Sequence, residues 1–440
     1  MKLKRELGLR DLTLFVIACI VGTRWVASAA HTGPGSILLW LLAALFFAVP
    51  LAVATAALTV RHPDAGGLYV WTRHDFGPWH GFLAFWVYWM GIAIWFPSAA
   101  MFYMSIAFSA LGPGYEHLAT SRTYLLIASL AAIWIALGTN LVGVKIGKWT
   151  ENLGASASWV LGAMLVTVAS LAWRKRGMAA PFHLLPGHDW GTVNFLATIA
   201  YAMTGLEMAG LMGAEIRDPE RDLRRAAWIS SVFVTVFYAG TTMALLVLLR
   251  PENISELNGL AEAGAEAGRV LGVTWFPPVI AVLVMATAIG QFGGFGASVS
   301  RMPYAAGVDH LLPAAFAKIH PRWATPYISI LIFGGLASVL LIALQFGDTI
   351  RGAYQTLVSL MVIAGFLPYL YMFGSAWKVG KRLSALSGWT VTVLAILCSI
   401  VPTEEIHNVW LFEFKLAAGT FAVILSAWLV YRRAAAIESR

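Results

Sequence analysis

Twelve apolar runs constrain this chain more than any other feature. They fall at roughly 12–31, 36–60, 80–110, 122–142, 153–173, 192–214, 226–249, 274–300, 326–346, 352–376, 387–403 and 409–431. A helix crosses a bilayer with about 20 consecutive apolar residues. In hydrocarbon every backbone N–H and C=O must find its partner within the protein. The runs therefore predict an all-α polytopic membrane protein with 12 transmembrane helices. Composition agrees: 59% of the 440 residues are hydrophobic and 12% are charged, about half the charged share of a soluble domain. The formal charge of +8 sits in short loops between runs. It reads as topology and not as affinity for nucleic acid. With both termini in the cytoplasm, Lys and Arg favour the inside by about three to one. Lys2, Lys4 and Arg440 count among the inside set, and Arg174-Lys175-Arg176 is the local exception. Met1-Lys2-Leu3-Lys4-Arg5 is basic, but no small-residue cleavage site follows, so no signal peptide is expected. The expected location is the plasma or inner membrane.

Two of the runs are interrupted. The first carries Gly22, Thr23 and Arg24 near its midpoint, and the sixth carries Tyr201, Thr204, Gly205 and Glu207. A charged side chain at bilayer depth costs roughly 2.5–3.5 kcal/mol on insertion scales, so it faces protein or water. A helix broken in mid-membrane exposes backbone groups that are tolerable only where they line a cavity. Breaks at positions one and six suggest two five-span inverted repeats, with the interrupted helices meeting at the midplane. Free N–H groups at a half-helix N-terminus suit a carboxylate, and half-helix carbonyls suit an ammonium or a cation. Glycine also serves ordinary helix packing in membranes. Two breaks, each beside a charge, tip the balance toward a binding site. The implied units are residues 1–173 (spans one to five), 190–376 (spans six to ten) and 387–440 (two peripheral spans and a short tail).

Several connections look structured. Residues 63–78 read as a short cytoplasmic helix, with Asp64 as a cap and Gly66-Gly67 allowing close packing. Residues 254–268 read as an external helix capped by Ser255, and residues 303–321 as an amphipathic cytoplasmic segment. Cys19 and Cys398 are expected to be free buried thiols. No His, Cys or acidic cluster has metal-ligand spacing, and there is no HExxH or Walker A motif. No cofactor, no metal and no enzymatic activity are expected, and the lack of an ATPase domain rules out primary transport by this chain alone.

Four stretches resemble the amino acid–polyamine–organocation (APC) transporter superfamily. Gly22-Thr23-Arg24 stands where that family has a Gly-Ser/Thr-Gly break. Pro63 to Gly77, with Gly66-Gly67 and Phe76-Gly77-Pro78, is similar to its loop after the second span. Phe195 through Gly205-Leu206-Glu207, then Ala214-Glu215-Ile216-Arg217-Asp218-Pro219, resembles its sixth span and following loop. Ser300-Arg301-Met302-Pro303-Tyr304-Ala305 to Thr325-Pro326 resembles the end of its eighth span and the loop beyond. The resemblance implies a LeuT-type fold: ten core spans in a 5+5 inverted repeat plus two peripheral spans. It implies secondary transport of amino acids or related amines and organic anions by alternating access. It also implies that the first break holds a substrate carboxylate, the sixth holds an amino group, and Tyr201 gates the site.

The chain departs from that pattern at Arg24, where the family has its second Gly. It departs again at Ser158, where some proton-coupled relatives have a Lys. Coupling by H+, coupling by Na+ and exchange without an ion all stay open. Ser158, Ser298 and Ser300 are the candidate ion-site hydroxyls. Arg24 has three readings: an ion pair with Glu207, a direct contact to a substrate anion, or a vestibule-facing cation. Glu207 could meet a substrate amine, carry a proton or tie helices together. Trp95 and Phe96 in the third run, and Phe292 and Phe295 in the eighth, are either packing aromatics or gating residues. A non-transporting amino acid receptor on the same fold is the competing function. The expected partners are a small-molecule substrate, a coupling ion and the lipid bilayer.

Overall fold

The computed structural model describes residues 5–112, 114–115, 117–118, 121–183, 185–187, 190–255, 258–343, 350–401 and 408–438. Lys2, Lys4 and Arg440 of the charge count lie outside the described residues. So do Glu256 and Leu257 of the external helix and the last residues of the ninth and eleventh runs (344–346, 402–403). The described chain is helical, with no strand beyond an isolated bridge between Leu7 and Ile216.

Nine described helices are long and apolar enough to cross a membrane, or ten when the bent pair α1 (Leu9–Ile20) and α2 (Arg24–Thr32) is one span. That pair turns by 50° across residues 21–23. The second span runs from Ser36 to Arg61: α3 (Ser36–Ala43) and α4 (Val49–Arg61) are joined by a π-turn just before Pro50. The residue that cannot donate a backbone bond thus sits where the ladder is already loosened. Helix α5 (Leu68–Phe76) is followed by α6 (Pro78–Ala107), then α7 (Arg122–Leu141) and α8 (Val144–Arg176). Helix α9 (Trp190–Ala202) and the single turn α10 (Met208–Leu211) are separated by residues 203–207. Next come α11 (Arg224–Leu248), α12 (Gly259–Leu271), and α13 (Phe276–Val299) leading into α14 (Arg301–Val308). Helices α15 (Tyr327–Ala343), α16 (Ile350–Lys378), α17 (Arg382–Ile400) and α18 (Val409–Glu438) complete the chain.

Burial separates centre from periphery. In the most apolar stretch of α6, 89% is buried inside the protein, against 28% for α17 and 17% for α18. Helix α6 is the hub, and the last two helices present apolar faces outward. Lipid tails are as apolar as leucine, so association must come from close packing. Such packing joins α8 and α13, where Gly154 and Gly290 lie backbone to backbone. A Cβ on Gly154 would stand 2.6 Å from the Gly290 Cα.

Several sequence expectations are corrected. The helix expected over 63–78 spans only Leu68–Phe76, and Gly67, not Asp64, is its N-cap. The paired glycines do allow close approach: Gly67 has φ +38°, and a Cβ there would stand 2.9 Å from the Leu211 amide. The external helix begins at Gly259 behind Asn258; Ser255 lies earlier, its hydroxyl accepting from the Asn258 amide at 3.3 Å. The fifth span starts nine residues earlier than its apolar run, at Val144. Only the start of the 303–321 segment is helical. Neither Cys19 nor Cys398 is in a disulfide, and Cys398 is only half-buried.

One end of the bundle is fastened by polar contacts. Leu7 and Glu6 donate their amides to the Glu215 carbonyl at 3.0 Å, and the Arg217 amide donates to the Leu7 carbonyl at 2.9 Å. Glu215 and Arg301 form an ion pair at 2.8 Å with both side chains 1% exposed. The Arg301 guanidinium also donates to the Ala297 carbonyl and, at 3.1 Å, to the Ser300 hydroxyl. Beside it, the Asp309 carboxylate accepts from Tyr69 and Arg73 of α5, each at 2.5 Å. Removing one partner of a buried pair leaves the other charge uncompensated, at a cost of about 3–5 kcal/mol. Glu215→Gln is therefore expected to lower the unfolding midpoint of the detergent-purified protein sharply, and Glu215→Gln with Arg301→Met is expected to recover part of the loss. An unchanged midpoint for Glu215→Gln would show that the pair fastens nothing.

Candidate functional site

The first break has a local cause. Helix α1 stops at Ile20; Val21 is extended, and the chain re-enters a helix at Arg24. A Cβ on Gly22 would lie 2.7 Å from the Trp25 ring, so only glycine lets that indole fold back over the break. In the second break, Gly205 has φ +117°, a conformation that side-chain-bearing residues rarely adopt. A Cβ on Gly205 would stand 3.0 Å from the Ile20 side chain and 3.4 Å from the Cys19 carbonyl carbon. The two breaks therefore face one another at contact distance.

A tyrosine on α11 joins them. The Tyr238 hydroxyl accepts from the Gly22 amide at 2.9 Å and donates to the Ile20 carbonyl at 2.8 Å, with the Ala202 carbonyl 3.3 Å away. One hydroxyl thus serves the backbone ends of α1 and α9 and the amide between α1 and α2. Its ring is stacked on Trp40 at 4.3 Å, and Trp40 donates to Thr242 at 3.1 Å. The Cys19 carbonyl, another orphan of the α1 terminus, accepts from the Gln291 amide at 3.1 Å, and Gln291 accepts from Tyr103 at 2.5 Å.

Glu207 is 1% exposed. Its carboxylate accepts from the Gly205 amide at 3.0 Å and from the Tyr88 hydroxyl of α6 at 2.5 Å. Thr204 donates its hydroxyl to the Tyr201 carbonyl at 2.7 Å, which closes the break on itself. Tyr201 meets Trp25 edge-on at 6.1 Å and Phe366 at 5.6 Å, and its ring lies where a side chain on Gly365 would be.

Arg24 is 2% exposed and occupies the first turn of α2. Its guanidinium donates to the Ser98 hydroxyl at 3.3 Å, approaches the Met361 sulfur at 3.7 Å and stacks 3.8 Å over the Trp25 ring. Its Nε is buried without a hydrogen-bond partner, as is the Thr23 hydroxyl. The ion pair with Glu207, one of the three readings from sequence, is not formed. Among the described residues the ion pairs include neither side chain. The reason is that Glu207 is already occupied by neutral donors from its own break and from α6.

Trp95, Phe96, Phe292 and Phe295 form one cluster between α6 and α13. Trp95 stacks on Phe295 at 4.6 Å, and Phe96 lies 5.1 Å from Phe292. Phe96 and Phe292 are fully buried. Trp95 lies one turn before Ser98, and its carbonyl accepts from that hydroxyl at 2.9 Å, so this turn abuts Arg24. The three candidate ion-site serines are not gathered at the break. Ser158 donates to the Gly154 carbonyl and lies 3.4 Å from Thr287; Ser298 donates to the Gly294 carbonyl. Ser300 belongs to the Arg301 cluster, where a guanidinium takes its oxygen.

Tyr88, Ser98, Tyr238, Gln291, Met361 and Gly365 were not singled out from sequence. Each is one polar, small or flexible residue in a long span, and only packing reveals what it faces. Tyr238→Phe keeps the stacked ring and removes the hydroxyl. It leaves the Gly22 amide and the Ile20 and Ala202 carbonyls short of a partner, at about 1–3 kcal/mol for each group fully lost. A clear fall in the thermal unfolding midpoint is expected, and an unchanged midpoint would remove Tyr238 as the fastening between the breaks.

The amino acid permease family model matches residues 7–412. The chain is 25% identical to an uncharacterized transporter of Legionella pneumophila, over 98% of this chain and 97% of that one. It is 22% identical to a probable agmatine/putrescine antiporter of Lactococcus lactis, over 86% and 80%. It is 25% identical to the Asc-type amino acid transporter 1 of Mus musculus, over 83% and 69%. A multi-pass helical protein matched along nearly its whole length by this family is a transporter and not an enzyme, and the chain belongs to the amino acid permease family of the APC superfamily.

Proposed function

We propose that this chain is a secondary active transporter that carries amino acids or related organic acids across the cell membrane by alternating access. The reading takes the fold as twelve spans, with both termini cytoplasmic. Residues 1–173 and 190–376 are the two inverted repeats, and residues 387–440 are peripheral. Substrate occupies the junction of the two breaks, in contact with Gly22, Thr23, Arg24, Tyr201, Thr204, Gly205 and Glu207.

The observation that carries this reading is the state of Arg24. A buried guanidinium with no carboxylate partner, at the positive end of a helix, is an uncompensated charge. A carboxylate on the substrate would supply the missing partner, by the planar bidentate contact that arginine favours. Agmatine and putrescine, named for one relative, are cations without a carboxylate, and a buried cation repels them. Amino acids, named for another, fit. Glu207 and Tyr88 then form the floor on the amino-group side.

The test is a thermal-shift screen of all amino acids and common amines on wild type and Arg24→Gly. A ligand at 100 times its Kd stabilises by about 2.7 kcal/mol. Loss of a charge-assisted hydrogen bond of about 1.5–3 kcal/mol weakens binding roughly ten- to a hundredfold. Carboxylate-bearing ligands are expected to stabilise wild type and to lose that effect in the variant. Stabilisation by amines alone would overturn the substrate class. Uptake into proteoliposomes under a Na+ gradient, a pH gradient or internal substrate then identifies the coupling, and binding without any uptake would assign the chain to the sensors.

A further inference from the structure

We propose that the chain carries a binding site for an anionic phospholipid, separate from the transport site, in a groove at one end of the bundle. Two concavities meet on either side of Trp228. One, of about 400 Å³, runs along α4 past Ala52, Ala56 and Val60 and ends at Arg224 and Lys381. The other, of about 650 Å³, lies against Leu9 and Ile229 and is edged by Arg221, Arg224 and Arg225. Both volumes are in the range of ligand pockets, about 300–1,000 Å³.

The charge is one-sided. Four cations, Arg221, Arg224, Arg225 and Lys381, line the joined groove against the single carboxylate of Glu220. Among the described residues none of these four forms an ion pair. All four side chains are exposed, so the groove offers a concentrated positive field that the one carboxylate of Glu220 leaves largely uncompensated. The matching ligand is an anion.

The apolar half says which kind of anion. The groove sits at the ends of two candidate spans, Ser36–Arg61 and Pro219–Leu248. From it a stripe of exposed apolar side chains, Trp228, Val232 and Val236, climbs one face of α11 at four-residue spacing. The α4 wall is lined with alanines, which leaves room for a chain against the helix. A free phosphate would use the cations and nothing else. A phospholipid with an anionic headgroup uses both halves: phosphate on the arginines, acyl chain along the stripe, and Trp228 at the boundary between them. Basic pockets between helices at the membrane surface suit such headgroups, and tryptophan favours that depth. The assignment does not depend on the transport reading, because none of these residues lines the junction of the breaks.

The experiment is native mass spectrometry of the detergent-purified full chain with phosphatidylglycerol, phosphatidylcholine or inorganic phosphate added. Wild type is expected to retain phosphatidylglycerol over phosphatidylcholine. Arg224→Gln and Lys381→Gln are each expected to weaken that retention about fivefold. Arg269→Gln, at the opposite end of the bundle, is expected to leave it unchanged. Retention by wild type is also expected to fall as salt is raised, a readout that needs no variant to fold. Equal retention of the two lipids, indifference to salt, or equal loss in Arg269→Gln overturns the site. Full displacement of phosphatidylglycerol by millimolar inorganic phosphate overturns the lipid assignment.

Discussion

The junction of the two breaks depends on one hydroxyl group. A helix that ends inside a membrane protein leaves carbonyls and amides with no water to turn to, and each unsatisfied group is costly. Tyr238 answers this by standing between Ile20, Gly22 and Ala202, so that a single side chain from α11 satisfies two helix ends and an amide from the turn. Its own position is fixed by stacking on Trp40, which in turn bonds Thr242. Gln291 does the same for Cys19 from α13. The breaks are therefore neither frayed nor loose. They are held open by side chains from other helices, while the Thr23 hydroxyl and the Arg24 Nε have no hydrogen-bond partner.

Four of the buried charged side chains are treated in three ways. Arg301 and Glu215 compensate one another and hold the segment ahead of α1, because the Glu215 carbonyl also receives the Glu6 and Leu7 amides. Glu207 is held as an acceptor by neutral donors, one of them the amide of its own break. Arg24 meets a hydroxyl, a thioether and an indole face, none of which carries a full negative charge. A structural charge is usually paired, since an unpaired one is destabilising. In the proposed function the substrate carboxylate supplies the partner that Arg24 lacks.

Packing explains how these groups are kept in register. Helix α6 runs through the middle of the bundle and supplies Tyr88 to Glu207, Ser98 to Arg24 and Trp95 to the aromatic cluster. Neighbouring helices are drawn together where side chains vanish, as at Gly154 and Gly290. In a bilayer this close approach does the work that water exclusion does for soluble proteins. The outer helices α17 and α18 are correspondingly less buried, and their apolar faces meet lipid.

Much of the architecture was legible in the sequence because bilayer physics is one-dimensional: a run of apolar residues of sufficient length is a span, and a Gly beside a charge within it is an interruption. Gly22-Thr23-Arg24 and Gly205-Leu206-Glu207 announced themselves in this way. Helix ends were less legible. Asp64 looks like a cap but is not one, and α8 begins before its apolar run because its first turns lie beyond the hydrophobic stretch. What only the tertiary structure decided is which residues meet. Arg24 and Glu207 are opposite charges on facing breaks, and sequence alone makes them natural partners. Packing instead places Tyr88 and the Gly205 amide on the carboxylate, and Ser98 and Trp25 on the guanidinium. Contacts such as Tyr88 to Glu207 and Ser98 to Arg24, between different helices, are set by how those helices cross, and local composition does not encode that crossing.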